Sequence, residues 1–177
     1  MAKSNDIIKR FESLPITQRR KLLFKLYKFS KETEMLFKTM LGYLVDASSL
    51  IDEMKKETLN KVNRRRMPSG VKVNSIISKA KKAMVSDNDL LILEELAFKG
   101  FVEFLNEFGG GPDSYPTMAG KHLGEHLKYI KLTTSDKTEQ SKYFDKIKKY
   151  LLKNNNMLLD YVNESFELVT GEKIKRY

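Results

Sequence analysis

Apolar residues recur at helical spacing along almost the whole chain, and this periodicity constrains the fold more than any other feature. Alternating runs of β-branched residues, which would indicate strands, are absent, and the 177 residues include only four prolines. Short polar or glycine-containing segments separate the periodic stretches. The sequence therefore predicts an all-α protein of about eight helices, either stacked antiparallel hairpins in a superhelix-like array or an irregular helical bundle.

The most apolar predicted helix covers Asn88 to Phe108. Apolar residues occupy most of its circumference, and a helix of this kind is normally buried by several neighbours. Ser86 is predicted to cap its N-terminus, and Gly109 is predicted to end it in a left-handed conformation. We therefore expect this helix to lie at the centre of the fold.

Other helix ends follow from the same rules. Thr17 is predicted to cap the second helix, and Ser30 is predicted to cap a third helix that ends near Leu44. A mostly polar helix is expected from Leu50 to about Arg65, either as an exposed arm or as a continuous extension of the preceding helix. The asparagines at 154–156 are expected to separate the last two helices.

The segment from Arg64 to Gly70 is the clearest candidate for a domain boundary. Pro68 and Gly70 interrupt it, and no apolar period crosses it. The sequence therefore predicts an N-terminal helical hairpin with a basic arm at 1–66 and a compact C-terminal helical core at 71–177.

The charge of the chain is strongly positive and unevenly distributed. There are 33 Lys and Arg against 23 Asp and Glu, a net charge of +10. Clustered cations bind a nucleic acid by releasing counterions from its backbone, with little sequence preference. No aromatic residue lies between Lys61 and Lys82, which argues against stacking on single strands. The candidate nucleic-acid-binding residues are Arg64, Arg65, Arg66, Lys72, Lys79 and Lys82.

A second candidate site is the H-x-x-E-H pattern formed by His122, Glu125 and His126. Two histidines four residues apart on a helix can ligate zinc while the glutamate polarises a water molecule. The pattern still needs a third ligand, for which Glu164 and Glu167 are candidates. The competing interpretation is a pair of surface or half-buried histidines beside a glycine-rich loop.

Four glutamates on the central helix offer a different kind of metal site. Carboxylate sites in helical bundles pair Glu with Glu-x-x-His motifs, and this chain has no such motif. We therefore expect these carboxylates to form the solvated edge of the helix or to meet basic neighbours. No cofactor is expected. The four residues are Glu94, Glu95, Glu103 and Glu107.

The composition narrows the compartment and the chemistry. There is no cysteine, which excludes disulfides and thiolate metal sites. The first residues are charged from Lys3 onward and lack the apolar run of a signal peptide. No segment approaches the roughly 20 uninterrupted apolar residues of a membrane span. We expect a cytoplasmic protein with no membrane contact.

The layout resembles an uncharacterised bacterial family of small all-helical proteins, a catalogued domain of unknown function. The resemblance rests on the hairpin from Phe11 to Leu44, the block Lys79 to Ala83, and the segment Gly100 to Gly109. The stretch from Tyr115 to Ile130 and the closing helix also fit. It implies a helical fold and brings no activity, so no functional residues are transferred.

Three functions follow from these patterns. The leading interpretation is a non-catalytic helical interaction or adaptor module, which binds a protein partner, an acidic macromolecule or a second copy of itself. The second is a nonspecific nucleic-acid-binding protein that uses the basic patch. The third is a zinc-dependent hydrolase at the H-x-x-E-H motif.

Overall fold

The computed structural model describes residues 4–43, 46–153 and 159–175. Every regular element in these ranges is a helix, which confirms the predicted all-α fold. The helices are α1 (Ser4–Ser13), α2 (Ile16–Tyr27), α3 (Lys31–Met40), α4 (Ser48–Glu57), α5 (Leu59–Asn63), α6 (Gly70–Lys82), α7 (Asp87–Phe108), α8 (Ser114–Thr133), α9 (Lys137–Lys153) and α10 (Leu159–Thr170).

Capping residues set several helix ends as the sequence predicts. The Ser30 hydroxyl accepts a hydrogen bond of 3.1 Å from the Thr33 amide at the start of α3. The Ser86 hydroxyl accepts one of 3.1 Å from the Asp89 amide at the start of α7. Gly109 ends α7 at φ 64°, a left-handed conformation that glycine adopts without a steric penalty. The predicted roles of these three residues are confirmed.

The start of α2 differs from its prediction. The helix begins at Ile16 with Pro15 as its N-cap, so Thr17 lies inside the first turn and the predicted cap is wrong. Pro15 has φ −54° and ψ 145°, and the amide of Gln18 donates to its carbonyl at 2.9 Å. The ring fixes φ and lacks an amide donor, which suits the residue that precedes a helix.

Two further predictions concern chain breaks. The helix α3 ends at Met40, earlier than the predicted end at Leu44, and Gly42 follows at φ 78°. Leu44 itself lies outside the described residues, as do the asparagines at 154–156 that were expected to separate the last two helices.

The single helix predicted from Leu50 to Arg65 is divided into α4 and α5 at Thr58. The backbone of Thr58 has φ −104° and ψ −98°, and its hydroxyl donates to the Met54 carbonyl at 2.7 Å. The residue is fully buried because α7 approaches it at Gly100. A Cβ added at Gly100 would lie 2.4 Å from the Thr58 Cβ, so this close approach requires glycine. The break in the helix therefore arises from tertiary packing.

The contacts group the chain into two compact units. The N-terminal unit comprises 1–45 with 82–84, and the C-terminal unit comprises 46–81 with 85–177. The segment 46–66, placed by the sequence with the N-terminal hairpin, belongs to the C-terminal unit because α4 and α5 pack on α7.

The C-terminal unit is an irregular bundle built around α7 and α8. These two helices form its largest helix–helix interface, and α10 packs on α8 far more extensively than α9 does. A stack of sequential hairpins would instead pair α8 mainly with α9. The contact between α8 and α10 is close at Gly120, where an added Cβ would lie 3.1 Å from the Tyr161 carbonyl oxygen.

The core of this unit is aromatic and aliphatic. The rings of Phe101 and Tyr115 meet edge to face with centroids 5.0 Å apart, and Phe104 contacts Tyr115 in the same way at 5.3 Å. Such packing fixes α7 against the start of α8. The largest fully buried apolar side chains are Phe98, Phe101, Phe166, Met54, Ile76, Leu93, Leu123, Leu127 and Ile130.

The N-terminal unit has a much smaller interior. The Tyr27 hydroxyl donates to Glu34 Oε1 at 3.0 Å, and the Tyr27 ring meets Phe37 edge to face at 6.3 Å, so α2 and α3 are joined at one end. Met35 of α3 is buried, whereas α1 and α2 contain no buried residue. Most apolar side chains of α1 and α2 therefore remain in solvent.

Candidate functional site

The three arginines lie on a short turn between α5 and α6. The Arg65 amide donates to the Val62 carbonyl and the Arg66 amide to the Lys61 carbonyl, each at 2.8 Å. Arg65 has φ 56°, a left-handed conformation that is uncommon for a residue with a side chain. Arg64, Arg65 and Arg66 are all exposed. The turn therefore presents three consecutive guanidinium groups to solvent.

The residues after the arginines hold this turn to the C-terminal unit. The Tyr115 hydroxyl donates to the carbonyl of Pro68, and both residues are buried. The Ser69 amide donates to Glu57 Oε1 at 2.7 Å, and the side chain of Glu57 is only 9% exposed. Both contacts link the segment between α5 and α6 to other helices.

Lys72 and Lys79 line a groove of about 460 Å³ between α4 and α6. Its charged residues alternate in sign, with Lys79 Nζ 3.8 Å from Glu53 Oε1 and Lys72 Nζ 3.9 Å from Glu57 Oε2. Lys56 and Lys61 add two further positive charges. With four lysines and two glutamates, the groove carries a net positive charge.

The predicted basic residues do not all lie in one groove. Arg65 borders a different groove of about 620 Å³, which also contains Lys99, Glu103 and Glu107. Lys82 is the exposed last residue of α6 and is grouped with the N-terminal unit. The structure brings Lys72 and Lys79 together in one groove and places the arginines at the turn that precedes the same helix.

The histidine motif lies on α8 and is mostly buried. The Nδ1 atom of His122 is 2.6 Å from Glu94 Oε2 on α7, and both side chains are 1% exposed. Phe101 stacks on the imidazole at 6.0 Å with an interplanar angle of 13°. The Nε2 atom of His122 is buried with no hydrogen-bond partner among the described residues. His122 therefore packs in the core beside a buried carboxylate.

His126 and Glu125 form hydrogen bonds with different groups, neither of which is the partner of His122. The Nδ1 atom of His126 lies 2.9 Å from the Leu91 carbonyl oxygen, and burial lowers the pKa of His126. Glu125 accepts a hydrogen bond from Lys128 at 2.7 Å, and that bond lowers the pKa of Glu125. The structure does not bring the three motif residues together as metal ligands.

Neither glutamate considered as a third zinc ligand is part of a metal site in the described residues. Glu167 pairs with Lys173 at 3.3 Å, and Glu164 is exposed. In the part of the chain that the structure describes, no group of three or more histidine, aspartate or glutamate residues could hold a metal ion.

Glu94 is a buried ionisable residue whose burial the sequence analysis did not predict. It was expected on the solvated edge of α7 or beside basic neighbours. The solvated position is wrong, because this face of α7 packs on α8 and the side chain of Glu94 is 1% exposed. The contact with a basic neighbour is present, since Lys81 Nζ lies 3.9 Å from Glu94 Oε1. A signal was present: Glu94 is in phase with Leu90, Ala97 and Phe101, the apolar residues of the buried face.

The N-terminal unit offers a surface of a different kind. Phe24 is 64% exposed and Phe29 is 81% exposed, and a groove of about 490 Å³ is lined by Phe24, Leu22 and three basic residues of α2. Isolated exposed apolar residues are normal, whereas contiguous ones mark interaction surfaces. The exposed large apolar residues of α1, α2 and the turn after α2 are Ile7, Ile8, Ile16, Leu22, Leu23, Phe24, Leu26 and Phe29.

Comparison with protein-family models, curated proteins and solved structures found no match to this chain. The resemblance to a bacterial family of helical proteins therefore stays a prediction. Among the described helices, none has the length and apolar character needed to cross a membrane.

Proposed function

We propose that the protein is a non-catalytic interaction module that binds a protein partner through α1 and α2. The observation that carries the proposal is that these two helices bury none of their side chains although they present large apolar residues on their surface. Exposed apolar area is retained at a cost in solubility, and Leu22 and Phe24 line one groove on α2, where exposed apolar surface is typical of partner binding.

The available apolar side chains are numerous enough for burial to compete with the cost of association. Burial of one large apolar side chain contributes about 1.5–3 kcal/mol, so five of them would contribute about 7–15 kcal/mol. Association itself costs about 4–15 kcal/mol in lost translational and rotational freedom. Because the two ranges are similar, the affinity depends on a few well-packed side chains. Phe24 and Phe29 can bury the most apolar area on binding, because they are large and mostly exposed.

The charge of α2 indicates the chemistry of the partner. The helix contains Arg19, Arg20, Lys21 and Lys25 and no acidic residue. Three of these cations border the groove that contains Leu22 and Phe24. We expect the binding face of the partner to be apolar at its centre and acidic at its rim, because like charges repel each other at an interface. A second copy of this chain and a different protein are both protein partners of this class.

Photo-cross-linking followed by titration of the purified pair tests the proposal. A photoreactive residue at Leu22 is expected to cross-link a protein in cells, and that protein is then purified and titrated by calorimetry. The double variant Phe24→Ala with Phe29→Ala is expected to weaken binding at least tenfold, the effect of losing more than about 1.4 kcal/mol.

The matched control removes the same kind of exposed apolar side chain from the C-terminal unit. Leu132 is 68% exposed and Leu168 is 84% exposed, so Leu132→Ala with Leu168→Ala is expected to leave the affinity unchanged. Equal loss of affinity in both double variants would overturn the proposal, as would the absence of any protein cross-linked at Leu22.

A further inference from the structure

We propose that the C-terminal unit carries a second binding site, which takes the phosphate backbone of a double-stranded nucleic acid. The site consists of the Arg64–Arg66 turn and the lysine-lined groove between α4 and α6. It is independent of the apolar surface proposed to bind a protein, because it uses other residues of another compact unit.

The backbone that presents the arginines is held in place before a ligand arrives. Its amides are bonded to the end of α5, the following Pro68 carbonyl accepts from Tyr115, and the Ser69 amide donates to the buried Glu57. A ligand therefore finds the turn already ordered and needs to fix only the arginine side chains.

The guanidinium groups of the turn are available to a ligand. Arg64, Arg65 and Arg66 are exposed, and within the described residues their side chains make no hydrogen bond or ion pair. Arginine binds phosphate through two parallel N–H donors, which makes it better suited than lysine to hold a phosphodiester in one orientation.

The groove supplies further cations at a small cost. Lys72 is 68% exposed and lies 3.9 Å from Glu57, a carboxylate that already accepts from Lys61 and from the Ser69 amide. Lys79 and Glu53 are 3.8 Å apart and partly solvated, and exposed pairs of this kind stabilise a fold very little. Both lysines can therefore turn toward phosphates without leaving a buried charge unpaired.

The sequence around the site favours a duplex over a single-stranded nucleic acid. From Lys61 to Lys82 there are eight basic residues, no acidic residue and no aromatic residue. Bases of single strands bind by stacking on aromatic rings, which this segment lacks. Lys72 and Lys79 are seven residues apart, or about 10 Å along α6. A duplex carries about six phosphate charges over that length.

Fluorescence anisotropy with a labelled 20-base-pair duplex tests the site, with the full chain at 50 and 200 mM salt. Contact with about five phosphates gives a log–log salt slope near −4.5. The same relation predicts that affinity falls about 500-fold over this fourfold change in salt. The triple variant Arg64→Ala, Arg65→Ala, Arg66→Ala is expected to bind at least tenfold more weakly at 50 mM salt and to reduce the slope by about 2.7.

The matched control removes three exposed lysines from α9, in the variant Lys142→Ala, Lys146→Ala, Lys149→Ala. It changes the net charge equally and is expected to leave the affinity within about threefold of the native protein. A gain-of-function variant guards against misfolding: Glu53→Gln removes the carboxylate beside Lys79 and is expected to tighten duplex binding.

Several results would overturn the proposal. No duplex binding at 50 mM salt, equal losses in the two triple variants, or weaker binding by Glu53→Gln would each do so. Polyglutamate or single-stranded DNA bound as tightly as the duplex would also contradict it and would point to an acidic protein or a single strand as the ligand.

Discussion

The buried pair of Glu94 and His122 is expected to be the most sensitive polar contact in the C-terminal unit. Both side chains are 1% exposed and their interacting atoms are 2.6 Å apart. Replacement of Glu94 by leucine leaves the Nδ1 atom of His122 buried without its partner. A buried polar atom left without its hydrogen-bond partner costs about 1–3 kcal/mol, because it can no longer bond to water.

Other variants of the pair are expected to lose different amounts of stability. Glu94→Gln keeps the length of the side chain and a polar group that can hydrogen-bond to the imidazole, so it is expected to cost less than Glu94→Leu. The double variant Glu94→Leu with His122→Phe removes both polar groups, and its new ring can stack on Phe101 as the imidazole does. It is expected to be more stable than Glu94→Leu alone.

Urea denaturation followed by circular dichroism measures these differences, provided that the slope of the unfolding free energy against urea stays constant. Glu95→Leu is the matched control. Glu95 lies next to Glu94 in sequence but forms a half-exposed pair with Lys99, so its loss is expected to cost less than about 1 kcal/mol. Equal effects of the Glu94 and Glu95 variants, or strict additivity of Glu94→Leu and His122→Phe, would refute the reasoning.

Three further perturbations test other parts of the structure. Gly100→Ala places a Cβ 2.4 Å from that of Thr58 and is expected to destabilise by about 1–3 kcal/mol in the same urea assay; no change would show that α4 and α5 are not held against α7. Ser86→Ala removes the cap of α7 and is expected to cost about 1 kcal/mol, measured by the thermal midpoint, with the exposed Ser78→Ala as its control. Because burial lowers the pKa of His126 below its unfolded value, the unfolded chain binds more protons, so stability from this residue is expected to fall as pH drops below about 6.5. His126→Phe is expected to flatten that dependence in urea titrations from pH 7.5 to 5, and an unchanged slope would contradict the assignment.

Local sequence signals predicted much of this fold. The helical period, the serine caps at Ser30 and Ser86, and the left-handed Gly109 depend on residues a few positions apart, so a single sequence contains what is needed. The break at Thr58 was missed because its cause is the close approach of Gly100, which is distant in sequence. No local pattern records that approach.

The candidate sites were predictable to a smaller extent. Charge counting found the arginine turn, but it could not place Lys72 and Lys79 in a groove with Glu53 and Glu57, since those contacts join different helices. The helical period likewise indicates apolar faces along almost the whole chain without showing whether another element covers the faces of α1 and α2. The structure leaves those faces exposed, and this exposure is the basis of the proposed protein-binding function.

The contacts of the two histidines explain why the functional proposals rest on exposed residues and not on the H-x-x-E-H pattern. A zinc ligand must offer a ring nitrogen to a shared point in space, with the other nitrogen held by a supporting group. Here His122 and His126 use their Nδ1 atoms on different partners of α7, a carboxylate and a backbone carbonyl, while Glu125 turns to Lys128. The two histidine contacts join α8 to α7. Within the described residues, the arginine side chains of the turn make no hydrogen bond or ion pair, and Phe24 and Phe29 are mostly exposed, so these side chains are available to a ligand.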